Sequence, residues 1–295
     1  MLDQATRPTD DDKSPPRPLA ALLREGRPLV MGVLNVTPDS FSDGGRYLDP
    51  DHAIAQAKRL VAEGADIIDV GAESTRPYGG AAPVSAEEEI ARLTPVLPAV
   101  AALGVPVSID TMKAEVAGVA LDMGATILND VWGLQRDPAM AKLAALRRVP
   151  IVVMHNRDGA DPAIDILADI DAFFARTLEI AAQAGISREN IVLDPGIGFG
   201  KTPEQSIATL AALPRFSRFG LPLLVGASRK RFIASVSPAP PDKRLGGSLA
   251  AHLLATLDGA AIVRVHDVAE TVQALKIAQA IRNKAIRNPS IRSFR

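Results

Sequence analysis

Eight apolar runs in this chain stop at side chains that hydrogen-bond or carry charge. Asn35 follows Leu29–Leu34, and Glu73, Ser74, Thr75 and Arg76 follow the run 66–70. Asp110 follows 105–109, Asn129 follows 126–128, His155 follows 150–154 and Asp194 follows 191–193. Ser228, Arg229 and Lys230 come after 221–225, and Arg264 and His266 after 260–263. The types divide by task. Two carboxylates, an amide and an ammonium (Asp110, Asp194, Asn129, Lys230) match the donors and acceptors of a flat, nitrogen-rich heterocycle. Arg264 and His266 suit an anion such as phosphate. Asn35 offers a neutral amide oxygen to a hard cation. A single polar residue at a strand end caps a turn, the expected role of Asp130 and Asp267. Eight polar ends over an apolar core would be costly without a ligand.

Other chemistries fail on spacing. Gly196-Ile197-Gly198-Phe199-Gly200-Lys201-Thr202 imitates a phosphate-binding loop, but Pro195 stands where that motif needs its first glycine. Gly226-Ala227-Ser228 begins a nucleophile elbow, and Lys230 replaces its closing glycine. The four histidines lack zinc-site spacing, and His52 and His252 read as structural residues of helices. With no cysteine there is no disulfide, thiolate zinc site or thiol nucleophile.

The runs that carry these ends alternate with helical patterns. In 51–63, Ile54, Ala57, Leu60 and Val61 share a face, and Gly64 ends the pattern. Ser85 and Glu88 have capping-box spacing, and Pro95 and Pro98 predict a kink or early stop in the helix that follows. The stripe of Ile166, Ile170, Phe173, Phe174, Leu178 and Ala181 predicts a long helix over 165–184. Eight apolar strands, each followed by a helix, predict an α/β protein: a (β/α)8 TIM barrel forming a single domain, with a doubly wound open sheet as the other candidate.

The barrel is expected over 19–281, between an acidic, disordered N-terminal tail (1–18) and a basic C-terminal tail (282–295). A net charge of −1 points to neither nucleic acid nor a membrane surface, and no run reads as a membrane span or signal peptide. A cytoplasmic location is expected.

The motifs Asn35-Val36-Thr37-Pro38-Asp39-Ser40-Phe41-Ser42-Asp43-Gly44-Gly45, Gly71-Ala72-Glu73-Ser74-Thr75-Arg76-Pro77, Ser108-Ile109-Asp110-Thr111, Leu128-Asn129-Asp130, Asp194-Pro195-Gly196-Ile197-Gly198-Phe199-Gly200-Lys201, Ser228-Arg229-Lys230 and Arg264-Val265-His266-Asp267 follow one another in this order. On them the chain resembles the dihydropteroate synthases, pterin-binding enzymes of folate biosynthesis. The resemblance runs from about Leu29 to Ala280 and departs at Ala72, Ile197 and Asn156, none of them a matched polar residue.

The resemblance implies a barrel, a homodimer, Mg²⁺, and condensation of 6-hydroxymethyl-7,8-dihydropterin pyrophosphate with p-aminobenzoate. It implies that Asp110, Asn129, Asp194 and Lys230 hold the pterin, with Met154 and Arg264 on its ring. Asn35 would bind the metal, and Asn35, Arg264 and His266 the pyrophosphate. Thr75, Arg76, Pro77, Phe199 and Ser228 would border the p-aminobenzoate site, which sulfonamides occupy in this family. Asp43, Lys230, Arg264 and His266 are the residues expected to act in catalysis, with Asp43 on a closing loop beside a cationic carbon. The alternatives are a pterin-binding methyltransferase-like barrel, which would need neither the 35–43 loop nor Arg76, and a non-catalytic paralogue.

Overall fold

The computed structural model of the chain describes residues 18–37, 49–73 and 84–287. Eight parallel strands close on themselves in sequence order: β1 (Leu29–Asn35), β2 (Ile67–Gly71), β3 (Val107–Asp110), β4 (Ile127–Asp130), β5 (Ile151–Met154), β6 (Ile191–Asp194), β7 (Leu223–Val225) and β8 (Ala260–Val265). The helices are α1 (Leu19–Leu23), α2 (Pro50–Ala62), α3 (Ala86–Leu93), α4 (Leu97–Ala101), α5 (Ala114–Asp122) and α6 (Pro138–Arg147). After them come α7 (Ile166–Ala184), α8 (Pro203–Ala211), α9 (Arg231–Val236), α10 (Leu245–Leu257) and α11 (Val268–Arg287). The open-sheet alternative is excluded, because β1 pairs with both β2 and β8.

Alternation along the strands builds the barrel in layers. Successive side chains of a strand point to opposite faces. Val30, Ile68, Val70, Ile109, Val153, Leu193 and Val263 pack outward in the main core under the helices. Leu29, Met31, Ile67, Ile127, Val152, Val192, Leu224 and Ile262 point inward and form a separate buried cluster. Leu19 and Leu22 of α1 join that cluster, so α1 closes the lower end of the barrel. Each such buried leucine contributes roughly 2 kcal/mol by leaving water. Two residues further along the same inner faces stand Asp69, Asn129, Met154, Asp194 and Arg264. The polar ring at the mouth is thus the next inward layer above an apolar plug.

The helices differ from the sequence reading in three places, and the early stop expected from Pro95 and Pro98 is found. α1 was not expected; five residues are too few to show a period. The proline-containing segment after Ser85 is two helices, α3 and α4, with Pro98 in the first turn of the second. The long segment after β7 contains α9 before α10. The last helix runs to Arg287, past the expected barrel boundary at 281, so Arg282 and Lys284 are exposed helix residues; 288–295 lie outside the described residues. Among the described residues no helix is long and apolar enough to cross a membrane.

Candidate active site

The floor of the mouth is a buried charge network centred on Asp69. Arg264 Nε donates to Asp69 Oδ2 at 2.6 Å, and a terminal nitrogen of the same guanidinium donates to Asp110 Oδ2 at 2.7 Å. Asn129 Nδ2 donates to Asp69 at 3.1 Å. This fixes the amide orientation and leaves Asn129 Oδ1 as an acceptor on its other side. Burial would pull Arg264 down, but Asp69 and Asp110 outweigh it and hold the guanidinium above its ordinary value. Burial raises Asp110 to about 7 despite Arg264, and it raises Asp194 as well. Asp110 Oδ1 is buried with no hydrogen-bond partner among the described residues. A buried carboxylate oxygen left so is costly, and a ligand N–H would satisfy it.

The β6 and β7 ends supply the other wall. Asp194 Oδ1 accepts from Gly196 N–H at 2.7 Å, which turns the chain back over the barrel. Lys230 Nζ donates to the Ile197 carbonyl and lies 4.3 Å from the centre of the Phe199 ring. Burial lowers Lys230 to about 7, against the pull of Asp194. Val131, Met154 and Phe199 form an apolar cluster with Met112 and Trp132 beside it.

Arg229 is left-handed (φ +58°), a conformation with a cost for a side chain of this size. Its N–H donates to Ser248 Oγ at 2.9 Å and its Nε to Asp267 at 3.0 Å, which holds the turn between Ser228 and Lys230. Ser228 Oγ sits 2.9 Å from His266 Nδ1. His252 accepts from Ala227 N–H at 3.2 Å; burial lowers it to about 4, so it is neutral and able to accept.

Of the residues singled out in the sequence, Asp110, Asn129, Met154, Asp194, Lys230 and Arg264 meet in this mouth, with Phe199, Ser228 and His266 on its β6–β8 side. Asn35 is half-buried at the top of β1, paired with Gly71. Phe41, Asp43, Thr75, Arg76 and Pro77 lie outside the described residues. His155 is fully buried, with Nε2 2.9 Å from Asp169. Asp130 caps a turn as expected, accepting from the N–H groups of Trp132 (2.8 Å) and Leu134 (2.6 Å). The carboxylate of Asp267 receives Arg229.

The sequence reading passed over Asp69. Its signal was a charged residue inside the apolar run Ile67-Ile68-Asp69-Val70, a place where carboxylates occur only with partners. It also passed over Lys113, whose ammonium joins Glu73 (2.7 Å) to the buried Glu89. Glu73 Oε1 in turn accepts from Val84 N–H at 3.1 Å, so this group ties the two described ends of the loop after β2.

Among the described residues no three His, Asp or Glu side chains cluster as a metal site. The Asn35 amide oxygen nonetheless fits Mg²⁺. That ion commonly takes one or two protein oxygens and fills its other positions with phosphate oxygens and water.

Residues 31–266 match the family model described as pterin binding enzyme. The chain is 47% identical over 266 residues to the dihydropteroate synthase of Bacillus subtilis, covering 90% of this chain and 92% of that one. Its structure is similar to that of the Xanthomonas albilineans dihydropteroate synthase with 4-aminobenzoic acid (TM-score 0.83, 45% identity, 87% of this chain and 93% of that one). It is also similar to the same organism's enzyme in complex with 7,8-dihydropteroate (TM-score 0.79, 43% identity, 87% and 94% covered).

Proposed function

The chain belongs to the pterin-binding enzymes and, within them, to the dihydropteroate synthases, and from that premise we propose how its barrel mouth performs the condensation. The enzyme is a transferase: it joins 6-hydroxymethyl-7,8-dihydropterin pyrophosphate to p-aminobenzoate and yields 7,8-dihydropteroate and pyrophosphate. The observation that carries the residue assignment is the buried Oδ1 of Asp110, without a hydrogen-bond partner among the described residues, on a strand that pairs Asp110 with Asn129, with Lys230 interacting with both Asp110 and Asp194.

In this reading Asp110 and Asp194 accept from the ring N–H and amino groups of the pterin. Asn129 accepts through Oδ1, and Lys230 turns from the Ile197 carbonyl to a ring acceptor. Met154 and Arg264 cover the faces of the ring. Asn35, Arg264 and His266 face the pyrophosphate; their fixed positive charge and donors favour the leaving group as its charge grows. Bound Mg²⁺, held by Asn35 and pyrophosphate oxygens, would add positive charge on the same side.

The bond from the pterin methylene carbon to oxygen breaks, its electron pair leaves with pyrophosphate, and the carbon is left cationic and conjugated with the ring. Asp43 stabilises that cation and its loop keeps water away. The aryl amine, bordered by Thr75, Arg76, Pro77, Phe199 and Ser228, adds its lone pair to the carbon and then gives up a proton to the released pyrophosphate. A neutral aryl amine needs no strong base before attack, which suits a mouth whose buried His155 is engaged elsewhere.

A homodimer belongs to the same reading. Its support is the set of exposed aliphatic side chains on the last two helices: Leu254 and Leu257 on α10, and Ile277 and Ile281 on α11. So does a cytoplasmic location, with which a cysteine-free chain is compatible. The test is product formation from the two substrates with and without added Mg²⁺. Magnesium-dependent dihydropteroate supports the reading. Pterin binding with no product would favour the paralogue.

A further inference from the structure

Lys201 is the most deeply buried lysine of the described residues, 1% exposed, and the mechanism above does not use it. Its Nζ donates to the carbonyls of Gly196 (2.9 Å) and Phe199 (3.1 Å) and to His155 Nδ1 (2.6 Å). Three acceptors need three N–H groups, which only the ammonium form has. His155 sits between charges: Nε2 faces Asp169 at 2.9 Å, and Asp169 also accepts from Arg157 at 2.9 Å. Burial lowers His155 to about 3, so the ring is neutral, with Nε2–H donating to Asp169 and Nδ1 accepting from Lys201. Burial pushes Lys201 well below its ordinary value, against the pull of the Asp194 and Asp169 carboxylates; the case for the charged form is the geometry, three acceptors within hydrogen-bond distance of Nζ.

Ile197 and Phe199 of the loop that Lys201 ties are buried, and the glycines that flank them let its backbone lie against the chain that leaves β5. Gly196 (φ +67°) lies so close to β5 that a Cβ there would be 2.0 Å from the His155 carbonyl oxygen. Gly200 (φ +53°) meets Arg157 in the same way. The backbone of Asp194 needs no such help. It belongs to β6, paired with Met154, and its carbonyl accepts from His155 N–H at 2.9 Å. Ile197 and Phe199 lie beyond the last sheet pairing, and both meet the Lys230 ammonium.

We infer that Lys201 is a positioning residue that holds Phe199 for the amine substrate, while the pterin carboxylate Asp194 is held by the sheet without it. This rests on the placement of p-aminobenzoate beside Phe199. Lys201→Met keeps the length and removes the donors. It should raise the KM for p-aminobenzoate about tenfold and change pterin pyrophosphate affinity, measured by calorimetry, less than about threefold.

Phe199→Ala should raise the same KM, and in the double variant the two effects should not add, because one acts through the other. Asp169→Asn, at the half-exposed end of the relay, should shift the KM in the same direction by a smaller factor and serves if Lys201→Met does not fold. Additive effects, or a lowered melting temperature with an unchanged KM, would overturn the inference. If Lys201→Met leaves the KM unchanged while Phe199→Ala raises it, the Lys201 role fails and the amine subsite stands. If Phe199→Ala has no effect, the subsite itself is misplaced and Lys201 cannot act through it.

Discussion

Arg264 and Asp69, 195 residues apart in sequence, meet at 2.6 Å beneath the barrel mouth. The contact matters because Arg264 also holds Asp110. With Asp69 neutralising part of it, the guanidinium can share Asp110 with a ligand. Without Asp69, Asp110 becomes its main counter-charge and the ligand must compete for it.

Asp69→Asn should therefore weaken pterin pyrophosphate binding, by about tenfold or more, and destabilise the fold by about 3 kcal/mol for the broken buried pair. Calorimetric titration and urea denaturation read the two effects separately. A variant with reduced stability and unchanged affinity would make Asp69 a structural residue alone.

Pterin affinity should peak near neutral pH. Burial raises Asp110 to about 7, so lowering the pH through that value protonates it and removes an acceptor. Burial lowers Lys230 to about 7, so raising the pH through that value removes a donor proton. Each limb should approach about tenfold per pH unit well away from the maximum. Dissociation constants measured from about pH 5 to 9 check this, and a flat profile would contradict it.

Lys113→Met should cost about 3 kcal/mol, because it leaves the Glu89 carboxylate, 1% exposed, without its cation. Adding Glu89→Gln should restore much of the loss. Equal losses in the single and double variants would show that packing of the lysine stem sets the cost.

Asp43→Ala should cut turnover far more than it weakens binding of the pterin pyrophosphate, because in the proposed reaction its charge is used only as the carbon becomes cationic. Steady-state kinetics together with calorimetry separate the two, and equal losses in both would remove its transition-state role.

The barrel was legible because each strand is a short apolar run with a polar end, and Asp110, Asn129 and Asp194 occupy the inward register that their strand ends imply. Asp69 was not legible in the same way. It sits within its run, and its partners lie on β4 and β8, so only the closed sheet brings them together. Lys201 lay in a stretch that imitates a phosphate loop. Its acceptors, two carbonyls and a histidine just past the end of β5, have no sequence signature. The proline pair announced the break between α3 and α4, whereas α1 is recognised only by the open barrel end that it covers.

Asp110 tests the proposed pterin site most directly. Single-turnover formation of dihydropteroate should fall by at least about 100-fold in Asp110→Asn, with the melting temperature preserved or raised, since burial disfavours this charge. A folded Asp110→Asn enzyme that turns over at the wild-type rate would mean that the pterin is not held at this barrel mouth.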